Sequence, residues 1–198
     1  LIFGQVRNAP TKVIFAEGET KNVISAAKIW QDSSYGKAVL VTREDRQEEF
    51  NNNLADLNIA ADKIETINIS KATDLVNKYS SSLYKKLQRK GFTERDCRRM
   101  VTDDRNIFAA SAVDAGDADV VITGTTRNYK SSLDEILKVI EAKKDQDVFG
   151  YSIVIAKDRT VFLADTAVNE LASSEELAHT AIKMAEEVRK FGHTPRVA

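Results

Sequence analysis

The sequence predicts an α/β protein, a parallel, doubly wound sheet with helices on both faces, followed by the start of a second α/β subdomain. Three observations predict it. Short apolar, β-rich runs alternate with longer stretches of helical periodicity. One run, Asp119 to Thr123 (DVVIT), lacks polar alternation, as does a strand buried on both faces. Beyond residue 147 the texture changes to two neighbouring strand runs without a helix between them.

Lys12 to Ala16 (KVIFA) reads as the first strand. Thr20 to Gln31 follows as a helix, with Val23, Ile24, Ala27 and Trp30 on one face at three- and four-residue spacing. Lys37 to Thr42 is the second strand, Glu44 to Leu54 a helix, and Glu65 to Ile69 the third strand. The triplet Asn51-Asn52-Asn53 marks an exposed loop or helix end, and Asn58 and Ala60 lie in a polar connector. Such βαβ succession implies parallel strands, which need crossover connections. Ala72 to Arg89 is a long helix with Leu75, Val76, Tyr79, Leu83 and Leu87 inward and Gly91 as its C-cap. Thr93 starts another, with Asp96 three residues on as a faint capping box. Asp103 to Ala115 is a helix stopped by Gly116, and Tyr129 to Glu141 is a helix after the DVVIT strand. These elements form a first subdomain, residues 1–141, joined by a charged link, 142–147, to a second, 148–198. In the second, Phe149 to Ala156 and Thr160 to Ala164 read as a hairpin turning at Lys157-Asp158-Arg159. A helix from Ser174 to Phe191 follows, capped by Ser173 or Ser174 with Glu175 and Glu176 in its first turn.

The 198 residues carry 29 Lys+Arg against 30 Asp+Glu, a net charge of −1, which argues against a dedicated nucleic-acid binder. No apolar run approaches the roughly 20 residues that span a bilayer, and the N-terminus lacks the apolar region of a signal peptide. The lone Cys97 cannot form an internal disulfide, which fits a reducing cytoplasm. The chain starts at Leu1 rather than Met, and Pro195 to Ala198 reads as a strand start without continuation. The expectation is a fragment, truncated on its C-terminal side.

The loop Gly124-Thr125-Thr126-Arg127-Asn128, with Tyr129 opening the next helix, falls at the carboxyl edge of the sheet, where open α/β sheets bind ligands. Free backbone N–H groups, two threonine hydroxyls, the Asn128 amide and the Arg127 guanidinium would suit a phosphate or carboxylate. The alternative is that Thr and Asn cap a helix while Arg127 meets a surface carboxylate. Asp165, Thr166 and Asn169 follow a strand in the same way and would face the same cleft, or simply form a turn. Arg95, Arg98, Arg99 and Arg105, with Lys90, form a basic stretch that would meet a polyphosphate tail, against the reading of a solvated face neutralised by Glu94, Asp96, Asp103 and Asp104. Asp114, Asp117 and Asp119 fit neither an EF-hand nor an octahedral cage, so a polar turn explains them and no metal site is expected. His179, His193 and Cys97 have no nucleophile-and-base arrangement around them, Cys97 reading as a packing thiol. No GxGxxG or Walker-type loop is present, and no catalytic constellation is complete.

One resemblance spans nearly the whole chain. It is carried by Val13-Ile14-Phe15-Ala16-Glu17-Gly18-Glu19, Leu87 to Phe92, Asp104-Arg105-Asn106, Gly116 to Asp119, Thr126-Arg127-Asn128-Tyr129, Val161 to Val168 and Glu175 to Ala178. In that order they resemble the phosphotransacetylase-like domain on the C-terminal side of bacterial NADP-dependent malic enzymes, of the alphaproteobacterial type. The resemblance implies two α/β subdomains around a cleft that holds coenzyme A and acetyl phosphate. It also implies a regulatory role: sensing acetyl-CoA or a related metabolite and helping subunits associate in a homo-oligomer. Malate decarboxylation, with NADP and a divalent metal, would then belong to catalytic domains earlier in the same chain. The family's catalytic NDLSRG-like motif does not occur in these 198 residues. Asp134 stands where the acetyltransferases carry an arginine in a TLRP-like segment, and Thr166 where they carry a cysteine. A carboxylate in place of a cation would weaken acetyl phosphate binding. Residual rivals are a phosphate acetyl- or butyryltransferase fragment and a pure dimerisation module.

Overall fold

A computed structural model describes residues 2–143, 147–157, 159–169 and 171–198. Packing divides the chain into two units, Leu1–Glu141 and Ala142–Ala198. Lys144 to Gln146 of the expected link, and Asp158 of the expected hairpin turn, lie outside the described residues.

The first unit opens with α1 (Ile2–Asn8), a short helix that no periodicity announced. Its sheet comprises β1 (Val13–Phe15), β2 (Ala38–Thr42), β3 (Glu65–Asn68) and β4 (Val120–Ile122), all parallel in the order β3-β2-β1-β4. Neighbouring residues of the central strands supply opposite faces. Val13, Phe15, Ala38 and Leu40 pack beneath α2 (Lys21–Asp32) and α3 (Gln47–Asp56), joining Val23, Ile24, Ala27, Phe50 and Leu54. Ile14, Ala16, Val39 and Val41 pack on the other face with α4 (Thr73–Leu87), α5 (Glu94–Asp103), α6 (Arg105–Asp114) and α7 (Tyr129–Val139). Helices therefore cover both faces, and β1 and β2 are buried throughout.

Local signals set the helix ends. Thr93 and Asp96 make both bonds of a capping box at the start of α5, and Asp104 caps α6 by accepting from Asn106 and Ile107 N–H. Gly91, at φ +89°, takes the left-handed conformation that lets the chain leave the short 3-10 turn Gln88–Lys90. Cys97 packs fully buried in the core, and burial pushes its thiol pKa up, so it is a packing group.

Three expectations are corrected here. β4 is not buried on both faces: Val120 and Ile122 are 42% and 44% exposed, because among the described residues this strand lies at the edge of the sheet and pairs only with β1. Asn51-Asn52-Asn53 lies inside α3, not at its end, because Phe50 and Leu54 anchor the helix on either side while Asn53 Nδ2 donates to the Glu19 carbonyl at 2.7 Å. Arg105 does not join a solvated basic face, since it is buried against Glu19.

The second unit comprises an antiparallel hairpin, β5 (Tyr151–Ile155) and β6 (Thr160–Ala164), and α8 (Ser174–Lys190). Ser173 and Glu176 form a second complete capping box. Met184 and Val188 are buried, but Ile153, Val154, Ile155, Val161 and Leu163 each remain more than a third exposed. A two-stranded hairpin with one helix has too little surface to cover its own apolar side chains.

Candidate functional site

In the order β3-β2-β1-β4 the chain moves outward one way from β1 and then returns to its other side, so the direction reverses between β1 and β4. The crevice at the carboxyl ends of those two strands is where an open α/β sheet takes a ligand. Beyond β1, Ala16 N–H donates to the Ile122 carbonyl at 3.0 Å and Gly18 N–H to the Val41 carbonyl at 3.0 Å. A side chain at Gly18 would lie 2.5 Å from the Val41 oxygen, so only glycine permits this approach. That turn places Glu17 and Glu19 inside, 2% and 0% exposed.

Glu17 occupies the nest that the loop after β4 forms. One carboxylate oxygen accepts from Gly124 N–H at 3.1 Å and Thr125 N–H at 2.6 Å, while the other accepts from Thr126 N–H at 2.8 Å and the Thr126 hydroxyl. Burial alone would raise its pKa. The Thr126 hydroxyl, the Thr125 and Thr126 N–H groups and the Arg105 charge outweigh burial and hold it below the usual carboxylate range. Arg105, the first residue of α6, donates to Glu19 at 2.7 Å and to the Thr126 hydroxyl at 3.4 Å, and Glu19 also accepts from Arg43 N–H at 3.0 Å. One guanidinium thus ties the loop after β1 to the loop after β4.

Arg127 is committed nearby. Its guanidinium donates to Asp104 at 2.5 Å and to both oxygens of Glu135 at 2.7 Å. Asn106 Nδ2 also donates to Glu135 at 2.7 Å, and Asn106 Oδ1 accepts from the Thr123 hydroxyl. The Asp104 pKa is lowered: Arg127 and the Ile107 N–H overcome burial. Burial and the neighbouring Asp104 charge raise that of Glu135. Asn128 caps α7 by accepting from Ser131 N–H at 2.9 Å. At this edge Thr125, Asn128 and Tyr129 stay exposed, Tyr129 by 49%. The N–H groups expected to be free for a ligand are bonded to Glu17, and Arg127 meets carboxylates. Two guanidinium groups here face four carboxylates, Glu17, Glu19, Asp104 and Glu135.

Asp165, Thr166 and Asn169 are built within the second unit. Asp165 accepts from the N–H groups of Gly150, Ala167, Val168 and Asn169 at 2.9 to 3.2 Å and from the Asn169 amide at 2.8 Å, while Thr166 N–H donates to the Gly150 carbonyl. Against the opposing effect of burial, those N–H donors depress its pKa to about 2. A depressed carboxylate stabilises the fold fully above its unfolded pKa near 3.8, and that contribution disappears as pH falls towards 2. Acid titration followed by NMR should therefore show the Ala167 and Val168 amides shifting with a midpoint near pH 2, with Asp165→Asn abolishing the transition. A midpoint near 4 would contradict the bonding described.

The chain matches the phosphate acetyl/butaryl transferase family model over residues 1–198. The chain belongs to that family. It is 42% identical over 98% of its length to the probable NADP-dependent malic enzyme of Rickettsia prowazekii and 40% identical over its whole length to the NADP-dependent malic enzyme of Rhizobium meliloti. It spans 25% and 26% of those proteins, resembling their phosphotransacetylase-like domain. A phosphotransacetylase from Streptococcus pyogenes shares the fold, with a TM-score of 0.83 at 22% identity over 98% of this chain and 59% of that one. Asp134 pairs with Lys130 along α7 at 3.3 Å.

Residue patterning alone did not single out Glu17, Glu19, Arg105, Asp104 or Glu135 as members of this network. The available signal was the Glu-Gly-Glu step directly after a strand, which puts two acids at the ligand-binding edge of the sheet. Asp114, Asp117 and Asp119 each serve a different partner: Lys86, the Lys78–Tyr79 pair, and Lys12 N–H. Among the described residues no helix is long and apolar enough to cross a membrane.

Proposed function

We propose that this chain is a regulatory, acetyl-CoA-sensing and oligomerising domain of an NADP-dependent malic enzyme. Malate decarboxylation, with its NADP and divalent metal, belongs on this reading to the catalytic domains of the same protein. The observation that carries it is that the loop N–H groups and Arg127 of the crevice are already bonded to the chain's own carboxylates. A transferase needs cations and free donors for a phosphate, whereas Glu17 fills the nest and Arg127 is neutralised. An acetyl phosphate entering beside four carboxylates meets a field of the wrong sign. What stays open is a rim of Thr125, Asn128 and Tyr129, suited to the uncharged parts of acetyl-CoA, with an aromatic ring for stacking. Malic-enzyme relatives at 40–42% identity, of which this chain spans about a quarter, support the placement. The exposed apolar hairpin supports association between subunits. Acetyl-CoA acts by stabilising one arrangement of the domain over another, which the catalytic domains then read.

Thermal unfolding with and without acetyl-CoA tests this. At about 100 times Kd, linkage gives roughly 2.7 kcal/mol, or about 5 to 10 °C for a chain of this size, and Tyr129→Ala should reduce the shift. Absence of a shift at saturating ligand would sink the sensor. Acetyl phosphate-dependent synthesis of acetyl-CoA would favour the transferase instead.

A further inference from the structure

Beside the core row of α4, Ser80, Ser81, Tyr84 and Lys85 line a groove of about 710 Å³ whose other wall is formed by Arg95 and Arg98 of α5. Ser80 is 8% exposed, and its buried hydroxyl has no hydrogen-bond partner. A buried hydroxyl is ordinarily satisfied, and leaving one unpaired is unfavourable, so a missing partner at the wall of a groove points to an occupant. The charges around it are only partly offset, with Asp96 within electrostatic reach of Arg95. Among the described residues neither Lys85 nor Arg95 has a carboxylate within ion-pair distance, and Arg98 is held by the Asn77 side-chain carbonyl instead. The acids nearby are Glu94, on the groove itself, and Asp96, engaged by Thr93. Three cations against one groove-lining carboxylate leave a positive balance in a chain whose net charge is −1.

We propose that this α4–α5 groove is a binding site for a phosphorylated small molecule. The phosphate would sit between Arg95, Arg98 and Lys85 and accept a hydrogen bond from the Ser80 hydroxyl, while Tyr84 supports the body of the ligand. Guanidinium groups suit this task because they offer forked donors to phosphate oxygens, and Asn77 holds that of Arg98 in place. The site is separate in sequence and chemistry from the Thr125–Tyr129 rim, so it stands or falls independently of the acetyl-CoA reading.

The test is a titration of the chain with pyrophosphate, read by amide chemical shifts, with sulfate as a control for simple charge. Saturable shifts confined to residues 77–98 are expected, with Arg95→Ala weakening binding about tenfold or more and Ser80→Ala several-fold. Arg99→Ala removes a cation of α5 that does not line the groove and should leave binding unchanged. The proposal is overturned by the absence of saturable shifts at millimolar pyrophosphate, by equal affinity for sulfate, or by Arg99→Ala weakening binding as much as Arg95→Ala. Tm measured for each variant separates lost binding from lost folding.

Discussion

Gly18→Ala is expected to destabilise the first unit by about 3 kcal/mol, lowering Tm by roughly 6 to 12 °C. The added methyl would meet the Val41 carbonyl oxygen at 2.5 Å and the Leu40 Cβ and Val41 N at 2.9 Å, and two of these three are backbone atoms of a fully buried strand. Neither neighbour moves without disturbing the sheet, since Leu40 pairs with β1 and Val41 with β3, and the Gly18 N–H bond to Val41 would lengthen. Gly116→Ala is the useful comparison. Its methyl meets nothing within 4 Å, and only its φ of +75° penalises a side chain, so a cost of about 1 kcal/mol is expected. Equal effects of the two substitutions in thermal unfolding would show that the close approach at Gly18 is unimportant.

Arg105→Met should cost about 3 to 5 kcal/mol, because it leaves Glu19 buried without an ion-pair partner, with only the Arg43 N–H bond and the longer-range Arg46 charge to support it. The size of this effect reports the stranded carboxylate rather than the net worth of the pair. Adding Glu19→Gln to the Arg105→Met chain should therefore recover stability, although Glu19→Gln alone is destabilising. Urea unfolding of the two single variants and the double variant measures this coupling directly. Simple addition of the two single losses would refute the pairing. Loss of Arg105 also releases the Thr126 hydroxyl, so amides 124–126 should shift in the folded protein.

Much of the fold was legible because its signals are local. Strand runs, the apolar rows of α2 and α4, and the caps at Thr93 and Ser173 are all set by residues within one or two helical turns of each other. The expected solvated basic face failed at Arg105 for the opposite reason. Acids adjacent in sequence suggested a neutralised surface, but its partner Glu19 lies 86 residues away and only the sheet brings them together. An apolar run such as Val120–Ile122 likewise says that a strand forms and not whether it has one neighbour or two. The Asn triplet shows tertiary packing overriding a weak helix propensity. At the candidate site the loop was located correctly by its place after a strand, whereas the occupant of its N–H groups was hidden. A carboxylate supplied by the chain itself fits the same donors as one supplied by a ligand, and sequence spacing does not distinguish the two.

The shortness of β4 bears on how this chain behaves at high concentration. Among the described residues no strand pairs with its outer side, which lies beside apolar side chains, a combination that recruits strands from other molecules. Yet it presents only three residues, about half the length of the six- or seven-residue segments that stack into fibrils. Contacts made along this edge should be weak, reversible and readily diluted away.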